Sequence, residues 1–234
     1  DLPQEPVIPF AAQILFEDDH ILVADKPHFL PVTPAGRFLT ETLLTRLRRE
    51  TGNDDLVPLH RIDRETAGLV LFSKRRDSRE RYSALFRNRL IDKVYEVIAP
   101  INPELNFPLR YCGHMQAGSP FFRMEIGDGE PNSETEISLI GSHAGWGHFQ
   151  VRPITGRKHQ IRVHFAALGM PILFDAIYPI LAPDTDAGHT TSDQPLQLLA
   201  ARLAFADPLT GEQRTFNSAR QLLALNDPLL VPRV

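Results

Sequence analysis

The period of apolar positions along this chain changes several times, and each change predicts an element. Ile14-Leu15-Phe16 and Ile21-Leu22-Val23-Ala24 are short apolar runs on either side of the acidic turn Glu17-Asp18-Asp19, which predicts a β-hairpin. Pro27, Pro31 and Pro34 then force a loop. Over residues 40–50 the spacing becomes helical: Leu43, Leu44 and Leu47 recur on one side, Thr40 is the expected N-cap and Gly52 lies just past the end. The unbroken apolar run over 69–72 predicts a buried strand. Residues 77–90 predict an amphipathic helix, with Tyr82, Leu85, Phe86 and Leu90 on one face and arginines on the other. A strand covered on both sides is expected over 94–99, and a glycine-interrupted hairpin over 138–151. Ile161, Phe165 and Leu168 stand at helical spacing and Gly169 closes that helix. Residues 196–206 are apolar again and run into the turn Asp207-Pro208-Leu209-Thr210-Gly211.

These elements alternate without a strict βαβ rhythm, and no internal repeat or low-complexity linker separates them. The expected fold is α+β, a mixed and mainly antiparallel sheet with flanking helices. The polar stretch 127–132 reads as a loop rather than a boundary. Prolines at 3, 6 and 9 make residues 1–12 an extended arm, which leaves 13–234 as one domain.

Composition narrows the class. At 234 residues, 42% apolar and 23% charged, the chain resembles an ordinary globular protein. No run approaches the roughly 18 apolar residues of a membrane helix. The longest candidate, 171–183, is interrupted by Asp175 and three prolines. No secretory pattern opens the chain, so a cytoplasmic monomer is the default expectation. Cys112 is the only cysteine, which excludes an internal disulfide and a cysteine-based zinc cluster and predicts a small buried hydrophobe.

The net charge is −4, yet it is unevenly spread. Between Lys74 and Lys93 stand eight Lys/Arg against three Asp/Glu, whereas 124–151 and 163–201 contain no Lys or Arg. One basic zone on a neutral-to-acidic body fits either a polyanion docked at one face or a solvated helix surface.

Three stretches carry candidate chemistry. His60-Arg61-Ile62-Asp63-Arg64 forms a loop leading into the 69–72 strand, and it sets a carboxylate between two guanidinium groups. Flanking cations favour the charged form of Asp63, which suits a nucleophile or electrostatic stabiliser; a surface salt-bridge cluster is the bland alternative. Arg152-Pro153-Ile154-Thr155-Gly156-Arg157-Lys158-His159-Gln160-Ile161-Arg162-Val163-His164 introduces a helix. Its expected polar face carries Lys158 and Arg162 four residues apart, beside a helix N-terminus suited to phosphate. His159 and His164 are five apart, which is the wrong spacing for two metal ligands on one helical face. In Lys93-Val94-Tyr95-Glu96-Val97 a tyrosine interrupts an apolar strand, as a core residue or as a stacking surface for a base.

Together these stretches resemble the RluA family of RNA pseudouridine synthases, over about residues 13–216. Residues 60–69 resemble its signature H-R-L-D-x-x-T-S-G-L, and Glu17 to Pro27 its opening motif, in which Lys-Pro ends the second strand. Lys93-Val94-Tyr95 resembles its K-x-Y strand, Arg152 to His164 its R-P-x-T-G-R-x-H-Q-I-R-x-H block, and Leu196 to Ala200 its L-x-L-H-A motif. Ala67 replaces the usual Ser, Leu199 the usual His, and Phe174 the usual Gly before Asp175. Many relatives carry an S4-type RNA-binding module ahead of the catalytic domain, and none is expected here.

The resemblance implies the pseudouridine synthase catalytic fold and isomerisation of uridines in structured RNA, rRNA or tRNA with rRNA favoured, by base flipping. It implies Asp63, Tyr95 and Arg162 as catalytic residues. Asp63 acts at the ribose, Arg162 pairs with Asp63 and keeps it charged, and Tyr95 stacks on the uracil and assists the final proton removal. It also implies RNA contacts from His60, Arg61, Arg64, Lys74, Arg75, Arg157, Lys158 and His159, with Arg61 beside the flipped nucleotide. No metal and no organic cofactor is implied, because the bond energy is exchanged rather than supplied. Two rival readings are a catalytically silent RNA-binding module of the same fold and a metal-dependent hydrolase built on His60, Asp63, His159 and His164.

Overall fold

The computed structural model describes residues 5–182 and 193–226. Pro3 of the expected arm, Pro183 and the rest of 183–192, and residues 227–234 of the expected domain lie outside the described residues. The chain is α+β, with a mixed, mainly antiparallel arrangement of strands and a few helices. It divides into two compact units. One holds the described residues up to Asp92 and Ala200–Arg220, and the other Lys93–Leu199 and Gln221 onward.

In the first unit the expected hairpin forms: β1 (Gln13–Glu17) pairs antiparallel with β2 (Ile21–Lys26). Asp18 makes the turn, its Oδ1 accepting the backbone N–H groups of His20 and Ile21 at 2.8 Å each. The next helix, α1, runs Leu43–Thr51 and ends at Gly52, whose φ of 65° is the left-handed cap that glycine tolerates. Its N-cap is Thr42, not Thr40. The Thr42 hydroxyl accepts the Thr45 N–H, whereas the N–H and hydroxyl of Thr40 donate to the Glu5 carboxylate at 2.9 and 2.6 Å.

A short β3 (Val57–Pro58) and β2 both pair antiparallel with β4 (Ala67–Ser73), in which every residue is buried. The helix expected over 77–90 is α2 (Arg76–Arg87). Tyr82 and Leu85 pack on Ile21, Val23, Leu69 and Leu71, with Phe86 half-buried beside them. Leu90 does not share that face: the helix has ended, Arg89 takes a φ of 57°, and Leu90 is left 60% exposed.

The second unit is built on β5 (Asp92–Pro100), β6 (Leu109–Ala117), β7 (Met124–Gly127), β8 (Ser133–His143) and β9 (Trp146–Pro153), ordered β5-β9-β8-β6-β7 and antiparallel throughout. The expected hairpin over 138–151 is the β8–β9 pair, longer at its N-terminal side. Ala144 and Gly145 turn it with φ of 49° and 85°, the sign that a two-residue I′ turn requires. The helix α3 (Gln160–Ala167) lays Ile161 and Phe165 on Val97, Ile137, Phe149 and Val151. Cys112 is exposed rather than buried, because on β6 the inward positions are Gly113 and Met115 and alternation turns Cys112 outward.

The chain then re-enters the first unit through β10 (Leu198–Ala206), which neighbours β4 and pairs with β11 (Gln213–Asn217). The approach of β4 to β10 depends on Gly68. Its φ is 111°, and a Cβ there would sit 2.3 Å from the Ala200 carbonyl oxygen. Gly68→Ala is therefore expected to destabilise the protein by roughly 3 kcal/mol or more, read as a lowered midpoint in urea denaturation.

Candidate active site

The first unit presents Asp63 on a turn that is fixed from beneath. Asp63, Arg64, Glu65 and Thr66 form the turn that enters β4, closed by the Thr66 N–H donating to the Asp63 carbonyl at 3.2 Å. Lys26, the last residue of β2, has no exposed surface. Its Nζ donates to the Arg64 carbonyl at 3.0 Å and to that of Pro27 at 2.9 Å. Burial pushes the Lys26 ammonium down to about 7, against the pull of Glu65 and Asp63. The Glu65 carbonyl lies 2.6 Å from Nδ1 of His28, a histidine that burial lowers to about 4. Two backbone carbonyls following Asp63 are thus tied to a buried lysine and a half-buried histidine, while Asp63 itself is half-buried and its neighbour Arg61 exposed.

The two guanidinium groups beside Asp63 behave differently from one another. Arg64 Nε bonds Glu65 Oε1 at 2.9 Å, and its guanidinium lies over the Phe38 ring at 5.5 Å. His60 is half-buried. Its Nε2 accepts the Leu71 N–H at 3.0 Å, and its ring stacks on Phe86 with 4.7 Å between centroids. That bond fixes His60 as the anchor between the loop and β4. Lys74 pairs with Glu17 at 2.7 Å and also bonds the Asp18 carbonyl, and Arg75 pairs with Asp77 on the surface.

The second unit holds the other sequence-predicted residues. Tyr95 lies on β5 opposite Val151 of β9, half-buried against the apolar core. Arg162 does not share a polar helix face with Lys158: Lys158 precedes α3 and is exposed, whereas Arg162 is fully buried. The helix begins later than its motif, after His159 takes a left-handed φ of 56°. Arg162 Nε and Nη2 donate to Asp175 Oδ2 and Oδ1 at 2.8 and 2.7 Å, and the Asp175 side chain is itself wholly buried. Asp175 Oδ1 also accepts the N–H groups of Ile177 and Tyr178, so the carboxylate of this buried ion pair is further satisfied.

Phe174 immediately precedes Asp175 at a φ of 62°. A β-carbon is disfavoured in that region, which is the physical reason a glycine suits this position and why Phe174 is strained.

Around this pair the motif residues lock one another. Gln160 Oε1 accepts the Thr155 hydroxyl at 2.7 Å and the Arg157 N–H at 3.0 Å, and its Nε2 donates to the Glu134 carbonyl at 2.9 Å. The Thr155-Gly156-Arg157 turn is thereby fastened to β8, with Arg157 and Lys158 pointing to its exposed side. His159 Nδ1 lies 2.8 Å from the Tyr178 hydroxyl, which accepts the Met124 N–H at 2.8 Å. His164 is fully buried, its Nε2 and Nδ1 bonded to the hydroxyls of Ser133 and Thr135 at 2.8 and 2.9 Å, and burial lowers it to about 4.

These bonds weigh against a metal-dependent hydrolase. Both ring nitrogens of His164 are bonded to hydroxyls, and Nε2 of His60 faces a backbone N–H. Among the described residues no group of three or more His, Cys, Asp or Glu is placed to hold an ion. The sequence pattern did not signal Lys26, Gln160 and Asp175 as structural anchors. The one available sign, a charged residue with apolar neighbours on both sides, holds for Asp175 between Phe174 and Ala176, as it does for Arg162 between Ile161 and Val163, but not for Lys26 or Gln160.

Comparison with known proteins identifies the family. Residues 20–167 match the RNA pseudouridylate synthase family. An uncharacterized RNA pseudouridine synthase of Synechocystis sp. is 32% identical over 225 residues, covering 88% of this chain and 74% of that protein. The dual-specificity RNA pseudouridine synthase RluA of Vibrio vulnificus is 31% identical, covering 84% of this chain and 78% of that protein. Pseudouridylate synthase RPUSD2 of Homo sapiens is 33% identical over 76% of this chain, which spans about a third of that protein. Other relatives are named for the ribosomal large subunit and for tRNA. Among solved structures, the human RNA pseudouridylate synthase domain containing 4 shares the fold with a TM-score of 0.71 at 22% identity, covering 93% of this chain and 92% of that one. The chain belongs to the RNA pseudouridylate synthase family. It is an RNA pseudouridine synthase, an isomerase of the RluA type that its motifs resemble.

Two outcomes follow from these environments. Asp175→Ala removes the bidentate acceptor of a buried guanidinium and is expected to cost about 3–5 kcal/mol in urea denaturation. His28 and His164 have folded values near 4 against about 6.5 when unfolded, so the unfolded chain binds more protons between those values. Stability from these sites is complete above pH 6.5 and is lost as pH falls towards 4, by about 3 kcal/mol for each. In proton NMR, two imidazole resonances are expected to keep their neutral positions down to about pH 5, with thermal stability falling below pH 6.

Proposed function

We propose that this enzyme isomerises specific uridines in structured RNA, ribosomal RNA rather than tRNA, with Asp63 as the reacting carboxylate. The observation that carries the assignment of Asp63 is its placement. It is a half-buried aspartate on a turn whose following carbonyls are held by Lys26 and His28, at the entrance of a wholly buried strand. In the reaction the N1–C1′ bond of the uridine breaks, the uracil turns, and C5 bonds to C1′. The C5 proton then leaves and N1 regains one. Positive charge develops on the ribose as the base departs, and a fixed, ionised carboxylate stabilises it by attacking C1′ or by taking a proton from C2′.

The remaining roles follow the family signature residue by residue. Tyr95 stacks on the uracil and serves the final proton removal. Arg162 keeps the catalytic carboxylate charged and oriented, and its own guanidinium is pre-oriented by Asp175. Arg61 stands beside the flipped nucleotide. Arg64, Lys74, Arg75, Arg157, Lys158 and the histidines 60 and 159 line or support the RNA path. Extruding a base costs a few kcal/mol, least in loops, which favours a loop or bulged uridine as substrate. The ribosomal preference is supported by relatives named for the large subunit. The same reading expects a cytoplasmic monomer without metal or organic cofactor, since one glycosidic bond is exchanged for another. Full activity in the presence of a chelator tests the last point.

The decisive experiment is pseudouridine mapping of total RNA from cells lacking the gene, beside cells rescued with wild type or with Asp63→Asn. A site lost in the deletion, restored by wild type and absent with Asp63→Asn is the expected result. With that RNA in hand, Asp63→Asn should lower the rate by at least about 10²–10⁴-fold. No difference at any site would instead favour an RNA-binding module without catalysis.

A further inference from the structure

The hairpin between β6 and β7 carries an aromatic side chain that packing does not explain. Its tip, residues 118–123, reads Gly-Ser-Pro-Phe-Phe-Arg and contains no carboxylate. Phe121 is 91% exposed, the most exposed large apolar side chain among the described residues. The tip around it is nevertheless firmly held. The Arg123 N–H donates to the Pro120 carbonyl at 2.8 Å and the Gly118 N–H to that of Arg123 at 3.1 Å, which closes the turn. Phe122, edge-on to Phe121 at 5.6 Å, packs on the buried cluster of Met115, Val163, Ile177 and Tyr178. Arg123 lies over the Tyr178 ring at 5.1 Å and donates to the Pro179 carbonyl at 2.6 Å. An anchored hairpin thus presents one bare aromatic ring to solvent, at the cost of exposing its apolar surface.

The same contacts connect this tip to cations. Tyr178, beneath Arg123, meets His159 through its hydroxyl, and His159 directly follows the exposed Lys158 and Arg157. A rigid exposed ring with cations on the same unit fits a single-stranded polyanion with stackable faces, because every base offers a π-face and every link a phosphate. A paired duplex hides those faces, and a purely acidic partner has no use for the ring.

We propose that the tip of the β6–β7 hairpin is an RNA-docking surface on which Phe121 stacks an unpaired base, with Arg157 and Lys158 gripping the adjoining phosphates. The proposal rests on RNA recognition by these two residues. It adds the selection of looped over paired RNA.

The test measures binding rather than turnover, in an Asp63→Asn parent so that no product forms. The probes are an RNA hairpin with a seven-uridine loop and a blunt duplex of the same stem sequence. Phe121→Ala is expected to weaken hairpin binding about tenfold and leave duplex binding unchanged, with Phe121→Trp restoring the affinity. Lys158→Ala should weaken both RNAs and flatten the salt dependence. The Phe121→Trp variant should also show indole fluorescence quenching on the hairpin, beyond any change in the parent, and none on the duplex.

Hairpin binding insensitive to Phe121→Ala, or equal losses on hairpin and duplex, would overturn the stacking surface. So would sedimentation showing that Phe121→Ala only dissolves a dimer at unchanged RNA affinity, since the occupant would then be a second copy. Failure of the parent to bind either RNA at low salt would overturn the RNA-recognition reading itself, which is a distinct result.

Discussion

A lysine with no exposed surface is the constraint from which the loop around Asp63 takes its shape. An ammonium group removed from water needs acceptors fixed at hydrogen-bond distance, because an unsatisfied one is far costlier than an unsatisfied amide. Lys26 obtains them from the carbonyls of Pro27 and Arg64, at 2.9 and 3.0 Å. The second of these belongs to the residue after Asp63, so satisfying the buried charge fixes the backbone that carries the Asp63 carboxylate. The negative charges of Glu65 and Asp63 in turn help to keep Lys26 protonated, as far as its burial allows. The carboxylate between two arginines at the mouth of a strand is thus only the outer half of the arrangement. Its inner half is a cation one strand away.

The second unit applies the same logic with a carboxylate in place of backbone carbonyls as the acceptor. There the buried cation is Arg162, and a wholly buried carboxylate, Asp175, meets it with both oxygens. Asp175 also caps the backbone of Ile177 and Tyr178, so it needs a sharply bent approach. That bend is the left-handed Phe174, a bulky residue where glycine is the comfortable choice. The strain is tolerated because the ion pair over-determines the turn. Pre-orientation of this kind is what the role proposed for Arg162 requires: a guanidinium already fixed does not have to reorganise when charge develops.

The sequence pattern made the elements legible wherever period and punctuation agreed. The β1–β2 hairpin, α2, β5 and the β8–β9 hairpin stand where apolar spacing put them. Errors came where a distant group competed for a local signal. Thr40 has the chemistry of an N-cap, but Glu5, 35 residues earlier, takes its donors and the cap moves to Thr42. Arg162 has the spacing of a surface residue relative to Lys158, but the left-handed His159 breaks the helix between them, and Asp175 makes burial tolerable. β6, β7 and β11 left little trace in the pattern, because β11 and the first half of β6 alternate half-buried with exposed positions and β7 has four residues. The motifs were informative in the opposite way. Their residue identities were visible, but the bonds that make Gln160 and His60 anchors run to backbone groups, which no residue pattern displays.

The charge pattern needs the same correction, and it changes how RNA must be read. Counted along the chain, 74–93 is a cationic stretch, but several of its charges are already answered within the protein. Lys74 meets Glu17, Arg75 meets Asp77, Arg76 meets Asp55 and Arg87 meets Glu80. Exposed pairs of this kind are worth little to stability, so RNA can break them at small cost. Until it does, they mask the field that would draw in any polyanion. A chain of net charge −4 with masked cations is a poor non-specific binder of duplex, whose recognition is mostly phosphate contact. Discrimination then has to come from what duplex lacks: unpaired bases that can leave the stack and faces that an exposed ring can cover. The proposed reaction imposes the same demand, since the uridine must be extruded before a fixed carboxylate can reach its sugar. A surface that prefers looped RNA therefore selects the substrates on which the chemistry is least costly.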